Sequence, residues 1–286
     1  MCYYAEYDVD LRTNAAFLLG AFLVLTQDMS PEEAGERFAS MGKDAFALFR
    51  DATYVWPSSF HLTLVDCWSG LKRAVAEKWF SLDSFDVHRY LRMGDSAAYD
   101  LHQICPKLVA FRGPGDHMQP SAYVKLFKCL SISTVLRLNS ADTYDKSVFE
   151  RQNIKVIDLP FQDCTTPRPK LLKTIIAAID SSSGVVAVHC LAGIGRTGTV
   201  IAVWIMMKLG WTARECIAWL RIVRSGCVLG QQQQFLEACQ NALENNLPFP
   251  EPASMDLDLS RELADQVAGA TGDRQRRNSV SMDVGH

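Results

Sequence analysis

Cys190 and Arg196 stand at the two ends of the run Leu191-Ala192-Gly193-Ile194-Gly195. That pairing suits attack on a phosphate monoester. Helix N-termini and cationic neighbours favour the thiolate of a cysteine, which is its nucleophilic form. The guanidinium of Arg196 presents a planar fork that can hold two phosphoryl oxygens and meet the charge that develops on them in the transition state. A phosphocysteine route also needs an acid to protonate the leaving oxygen from the far side of the phosphate. Asp163 is the candidate, in the polar, proline-bounded stretch Leu159 to Pro167. A turn or N-cap aspartate would look the same at this position.

The flanking residues say what must hold these groups. Val185, Val186 and Val188 read as a buried strand ending at the cysteine, and Thr199 to Leu209 as a buried helix. The loop between them therefore meets a helix N-terminus. There the N–H groups from Leu191 to Arg196 lack helical acceptors and can converge on an anion, so Leu191, Ala192, Gly193, Ile194, Gly195 and Arg196 form the expected phosphate cradle. Gly193 and Gly195 are expected to supply backbone angles that a side chain forbids. Cys-x5-Arg alone arises by chance, and a structural thiol in a core strand is the alternative; such a thiol would need neither the glycines nor the arginine. Asp163 falls between an apolar strand over Val156 to Leu159 and a helix over Lys170 to Ile179.

The segment His189-Cys190-x5-Arg196-Thr197-Gly198 resembles the signature of the cysteine-dependent protein tyrosine and dual-specificity phosphatases. Arg137-Leu138-Asn139, Asp163 with Thr165-Thr166-Pro167, Ile217 to Ile222 and Phe60 to Cys67 are similar to the mitotic-exit, cell-division-cycle type, over nearly all of residues 2 to 240. The resemblance implies an α/β fold in which a dual-specificity-phosphatase-like central sheet is flanked by helices, preceded by a degenerate, mostly helical copy of the same fold. It implies Asp163 as the acid, Thr197 as a hydroxyl donor to the departing sulfur, His189 as a residue that orients the loop, and Gln232 beside the attacking water. Gln231 stands where proline is usual, and Cys164 where glycine is usual, next to the presumed acid. Implied substrates are phosphorylated proteins, with phosphoserine followed by proline foremost, and the implied role is reversal of cyclin-dependent-kinase phosphorylation without a cofactor. The family reads basic residues beyond that proline with an acidic groove; here His88, Arg89 and Arg92 occupy the corresponding linker, which removes the basis for that preference.

An internal echo supports two related halves. Arg12 to Phe22 parallels Arg196 to Met206, and Ser30 to Ala34 parallels Thr212 to Cys216 as the capped start of a next helix. Glu6 then stands where Cys190 would, so the first copy has no nucleophile. The strands that should precede it would fall before Met1, and the first half is therefore expected to be shortened. The expected division is a non-catalytic half over 1–81, a linker over 82–106, a catalytic domain over 107–247 and a polar tail over 248–286, with a short helix around Leu259 to Val267 and a basophilic-kinase-like Arg274 to Ser279.

At 286 residues, 48% of them hydrophobic, the chain can bury one or two cores. A net charge of -3 gives no electrostatic case for nucleic acid. Nine cysteines form an odd set without a Cys-x2-Cys pair, which points to a reducing compartment, cytoplasmic or nuclear, and no metal-ligand spacing is present. The apolar run from Ala15 to Leu25 is too short to span a bilayer. Three other functions share parts of this pattern. A phosphoinositide phosphatase would place lysines where Leu191 and Ile194 stand, an RNA 5′-triphosphatase would carry basic stretches, and a phosphoprotein-binding scaffold would not need Cys190, Arg196 and Asp163 together.

Overall fold

The computed structural model describes residues 8–42, 44–53, 60–116 and 118–252. Glu6, the rest of the segment before residue 8, and the tail from 253 onward, with its expected helix and kinase motif, lie outside the described residues.

Five short strands form one sheet in the order β1-β2-β5-β3-β4: β1 (Leu101–Gln103), β2 (Leu108–Arg112), β3 (Ile132–Arg137), β4 (Lys155–Asp158) and β5 (Val185–Cys190). Only the β1–β2 pair is antiparallel. Parallel strands buried on both faces need apolar residues of both parities. In β2, Leu108 and Ala110 enter one core while Val109 and Phe111 enter the other; in β5, Val186 and Val188 face the first and Ala187 the second. The second core is closed by Tyr123 and Phe127 of α5 (Pro120–Cys129) and Phe149 of α6 (Ser147–Glu150). The first is larger and is covered by α7 (Pro169–Ser181), α8 (Gly195–Leu209), α9 (Ala213–Val223) and α10 (Gln232–Glu244). β5 is central, so Cys190 emerges at the carboxyl end of the middle strand, where open α/β sheets bind ligands.

The regular elements described in the first half are all helical, among them α1 (Val9–Thr26), α2 (Pro31–Glu36) and α3 (Leu64–Ala76), with irregular chain over 44–53 and 60–63. Ser30 and Thr212 each close a reciprocal capping box, with Glu33 and Glu215 three residues on. The two halves share one hydrophobic core. Trp68 and Leu71 of α3 belong to the same buried cluster as Ile217 and Trp219 of α9. A side chain at Gly70 would stand 2.7 Å from the Glu215 carbonyl oxygen, so α3 meets α9 almost backbone to backbone.

Three sequence expectations need correction. The stretch expected as a linker contains β1, a strand of the catalytic sheet, which at three residues is too short to show alternation; the helix in its first part, α4 (Val87–Gly94), is compatible with a linker. α1 spans 18 residues with a mean hydropathy of 1.4, long and apolar enough by length and composition to cross a bilayer. The apolar run ends at Asn14 and Thr26, both of which lie within the helix. One side of α1 nonetheless packs on α3, where the Trp68 indole N–H donates to the Phe17 carbonyl at 3.0 Å. Lastly, Phe249 packs against the main core inside the stretch expected as tail.

Candidate active site

The loop from Cys190 to Gly195 is built by the direction of its peptide groups. Gly113 N–H donates to Leu191 O at 3.2 Å, and Ile194 O accepts from Gly198 N–H at 3.1 Å and Val228 N–H at 3.3 Å. Arg224 donates through Nη2 to Ala192 O and through Nε to Gly193 O, both at 2.8 Å. Thr199 Oγ1 donates to Gly195 O at 2.9 Å. The carbonyls are thus all held outward. Among the described residues, the N–H groups from Leu191 to Arg196 have no protein acceptor. Buried donors without acceptors are costly unless a ligand takes them, and six of them at the start of a 15-residue helix make an anion cradle.

The two glycines serve different ends. Gly193 has φ +69, and a Cβ there would collide with the Phe111 carbonyl, so it supplies both the left-handed turn and the close approach of the loop to β2. Gly195, expected to do likewise, is already helical. Its lack of a side chain leaves room for Leu229 Cδ1 and Gln232 Oε1, which a Cβ would approach to 2.9 and 3.2 Å.

Cys190 is buried at the end of β5, while Leu191 on the rim is 57% exposed. Arg196 is buried as well. Its Nη1 donates to Leu138 O at 3.0 Å and Phe161 O at 2.8 Å. Its Nε lies 3.1 Å from Asp163 Oδ1, a close charge contact that is not aligned as a hydrogen bond. Asp163 and Arg196 are therefore brought together across the mouth of the loop. Thr197 Oγ1 is buried and has no hydrogen-bond partner, the sulfur of Cys190 included. Gln232 is fully buried between two backbones: Oε1 accepts from Leu229 N–H at 2.9 Å and Nε2 donates to Thr165 O at 2.9 Å. Both ends of its amide are engaged, so it ties the acid loop to the start of α10. Cys164 sits in the left-handed region at φ +56, the conformation that suits the glycine usual there, and burial pushes its thiol up to about 12.

His189 is wholly buried. Nδ1 lies 3.0 Å from the Cys190 carbonyl, which can only accept, so the proton is on Nδ1 and Nε2 accepts from the Tyr144 hydroxyl at 2.9 Å. Burial holds this imidazole down at about 4 from an ordinary 6.5 and keeps it neutral. Between those values the unfolded chain binds a proton that the folded one refuses. The stability this group confers is therefore complete above pH 6.5 and is lost as pH falls to 4, by about 3 kcal/mol. Urea titrations across that window should show the slope, and His189→Gln should flatten it.

Sequence reasoning missed the supports of the loop. Arg224 is fully buried, and beyond the two loop carbonyls it reaches Asp100 Oδ1 at 2.7 Å and His102 Nδ1 at 3.0 Å through Nη1. Tyr144 lies 45 residues from His189 and is itself held by Arg137, whose Nη1 donates to the Tyr144 carbonyl at 2.9 Å while Nε pairs with Asp158 at 2.6 Å. Arg137 lies in a stretch that carries the family resemblance, but nothing local gives the partner of any of these residues.

Residues 1–74 match the family described as dual specificity protein phosphatase, N-terminal half, and residues 118–241 match dual specificity phosphatase, catalytic domain. The chain belongs to the CDC14-type dual-specificity phosphatase family. It is 36% identical over 251 residues to dual specificity protein phosphatase CDC14AB of Danio rerio, covering 84% of this chain and 41% of that protein. Against CDC14C of Homo sapiens it is 37% identical over 242 residues, covering 81% and 54%. Against the tyrosine-protein phosphatase cdc-14 of Caenorhabditis elegans it is 36% identical over 241 residues, covering 81% and 34%. The chain thus spans from a third to about half of the length of these CDC14 relatives.

Proposed function

We propose that this CDC14-type chain hydrolyses phosphoserine, above all before proline, phosphothreonine and phosphotyrosine in proteins, through a phosphocysteine at Cys190. The observation that carries this reading is the loop whose carbonyls are all held outward, leaving its amides to a tetrahedral oxyanion between Cys190 and Arg196. Bound phosphate takes over the Arg196 fork and frees Asp163 to face the leaving oxygen. The sulfur forms the S–P bond as the P–O bond to the substrate breaks, and Asp163 gives its proton to the departing alkoxide or phenoxide. Water then attacks phosphorus, Asp163 accepts its proton, and the thiolate leaves with phosphate released. His189, neutral and held at both nitrogens, fixes the strand end that carries the nucleophile. Leu191 and Ile194 offer no cation for a second phosphate, which favours protein over inositol phospholipid substrates. Reversal of cyclin-dependent-kinase phosphorylation is the cell-cycle role proposed, which fits the names of the CDC14 relatives, and a reducing compartment, cytoplasmic or nuclear, suits the free thiolate that the route needs.

The test compares initial rates of the intact protein on p-nitrophenyl phosphate, on phosphoserine-proline, phosphothreonine and phosphotyrosine peptides, and on inositol phospholipids. No turnover of any of them would overturn the enzyme reading, and a preference for lipids would overturn the substrate class. Asp163→Ala should slow a poor leaving group by about 10²- to 10⁴-fold, and a good one far less. Equal losses on both would remove Asp163 from the acid role.

A further inference from the structure

The turn joining α9 to α10 leads into Gln232 and is held in part by its own flanking helices, with Arg221 Nε on Cys227 O at 2.9 Å and Arg221 Nη2 on Val228 O at 3.1 Å. Gly226, Val228 and Gly230 all lie in the left-handed region, at φ +83, +63 and +47. For valine that conformation is strained. The turn is braced from outside, by residues 49–53 of the first half. Phe49 O accepts from Arg221 Nη1, and Gly226 O accepts from Ala52 N–H at 3.4 Å. The centre of the brace is Asp51, only 8% exposed. Its Oδ1 accepts from Thr53 N–H at 3.0 Å and Thr53 Oγ1 at 2.6 Å, which fixes the carboxylate plane. Its Oδ2 accepts from Gly230 N–H at 2.6 Å and from Gln233 Nε2 at 3.2 Å. Gln233 is held on its other side by Arg221 Nη2.

Gln232 sits between these two anchored residues, and its Nε2 holds the Thr165 carbonyl, two residues past Asp163. Asp163 in turn lies against Arg196. Hydrogen bonds and short chain segments therefore lead from a carboxylate in the first half to the acid loop of the second; the same turn meets the phosphate cradle at one carbonyl, Ile194 O, through Val228 N–H at 3.3 Å, while Arg224 holds Ala192 O and Gly193 O. We propose that Asp51 is a positioning residue for Asp163, so that the non-catalytic half sets the placement of the general acid. This rests on the phosphatase reading above.

The distinguishing readout is dependence on the leaving group, because misplacing an acid matters only where the departing oxygen needs its proton. Steady-state kcat/KM would be measured for a series of aryl phosphates from phenyl to p-nitrophenyl, with orthovanadate inhibition as a gauge of the cradle. Asp51→Ala should lose about ten-fold or more on phenyl phosphate, the scale of a modest misplacement, progressively less as the leaving group improves, with vanadate affinity kept. Asp51→Asn retains an acceptor for Gly230 N–H and should fall between wild type and alanine. Thr53→Val, which removes one donor that orients the carboxylate, should shift the series in the same direction and serves if the alanine variant does not fold. Combined with Gln232→Ala, Asp51→Ala should add little, since both act on one connection. A uniform loss across the series with weakened vanadate binding, or a series unchanged from wild type, would overturn the role of Asp51. An inactive wild-type protein would instead overturn the phosphatase reading on which it rests.

Discussion

Cys190→Ser is expected to lower turnover of p-nitrophenyl phosphate by about 10⁴-fold or more, while the protein still binds orthovanadate. A serine hydroxyl attacks phosphorus only if a base removes its proton. Among the described residues, the imidazole adjoining the cysteine cannot serve, because His189 spends Nδ1–H on the Cys190 carbonyl and Nε2 on the Tyr144 hydroxyl. The cradle is made of backbone amides and Arg196, which the substitution leaves in place, so the oxyanion site should persist without its nucleophile. Turnover within ten-fold of wild type would place the chemistry elsewhere.

Arg224→Ala should act through the opposite division, removing the support and leaving the nucleophile. Five contacts are lost at once: those to the carbonyls of Ala192, Gly193 and Asp100, to the buried Asp100 carboxylate and to His102 Nδ1. Breaking a buried pair by deleting one member costs about 3–5 kcal/mol, chiefly because a charge is left without compensation. Urea unfolding should show a loss of that size. Arg224→Lys keeps a positive charge for Asp100 but offers a point in place of a fork, so it should recover much of the stability and little of the vanadate affinity. If both properties recover together, Arg224 matters as charge alone and the argument from its geometry fails.

The chemistry of the site was legible in the sequence wherever it lay in one continuous segment. Val185 to Gly198 runs as strand, loop and helix, and residue types alone implied a cradle with a nucleophile at its floor. The paired capping boxes at Ser30 and Thr212 were legible for the same reason, since a cap is a four-residue affair. What the sequence hid was the scaffolding. Asp100 is 124 residues from Arg224, and Asp51 is 179 residues from Gly230. Such partners meet only after the chain has folded, and a lone aspartate in a loop carries no sign of what it will face. Gln232 shows a subtler difference. Family resemblance placed it near the water, and the structure shows its amide spanning Leu229 and Thr165, a placement that depends on how two loops meet. Gly195 was read by the same logic as Gly193, but one is needed for its φ and the other for the space around it.

The close seating of α3 on α9 at Gly70 bears on how the molecule comes apart. Trp68 and Leu71 fill the same core as Ile217 and Trp219, so neither half has a boundary at which it could melt alone without exposing the interior of the other. The N-terminal half is in this sense a permanently bound cofactor made of polypeptide. Its loss would be felt as unfolding before it was felt as altered selectivity.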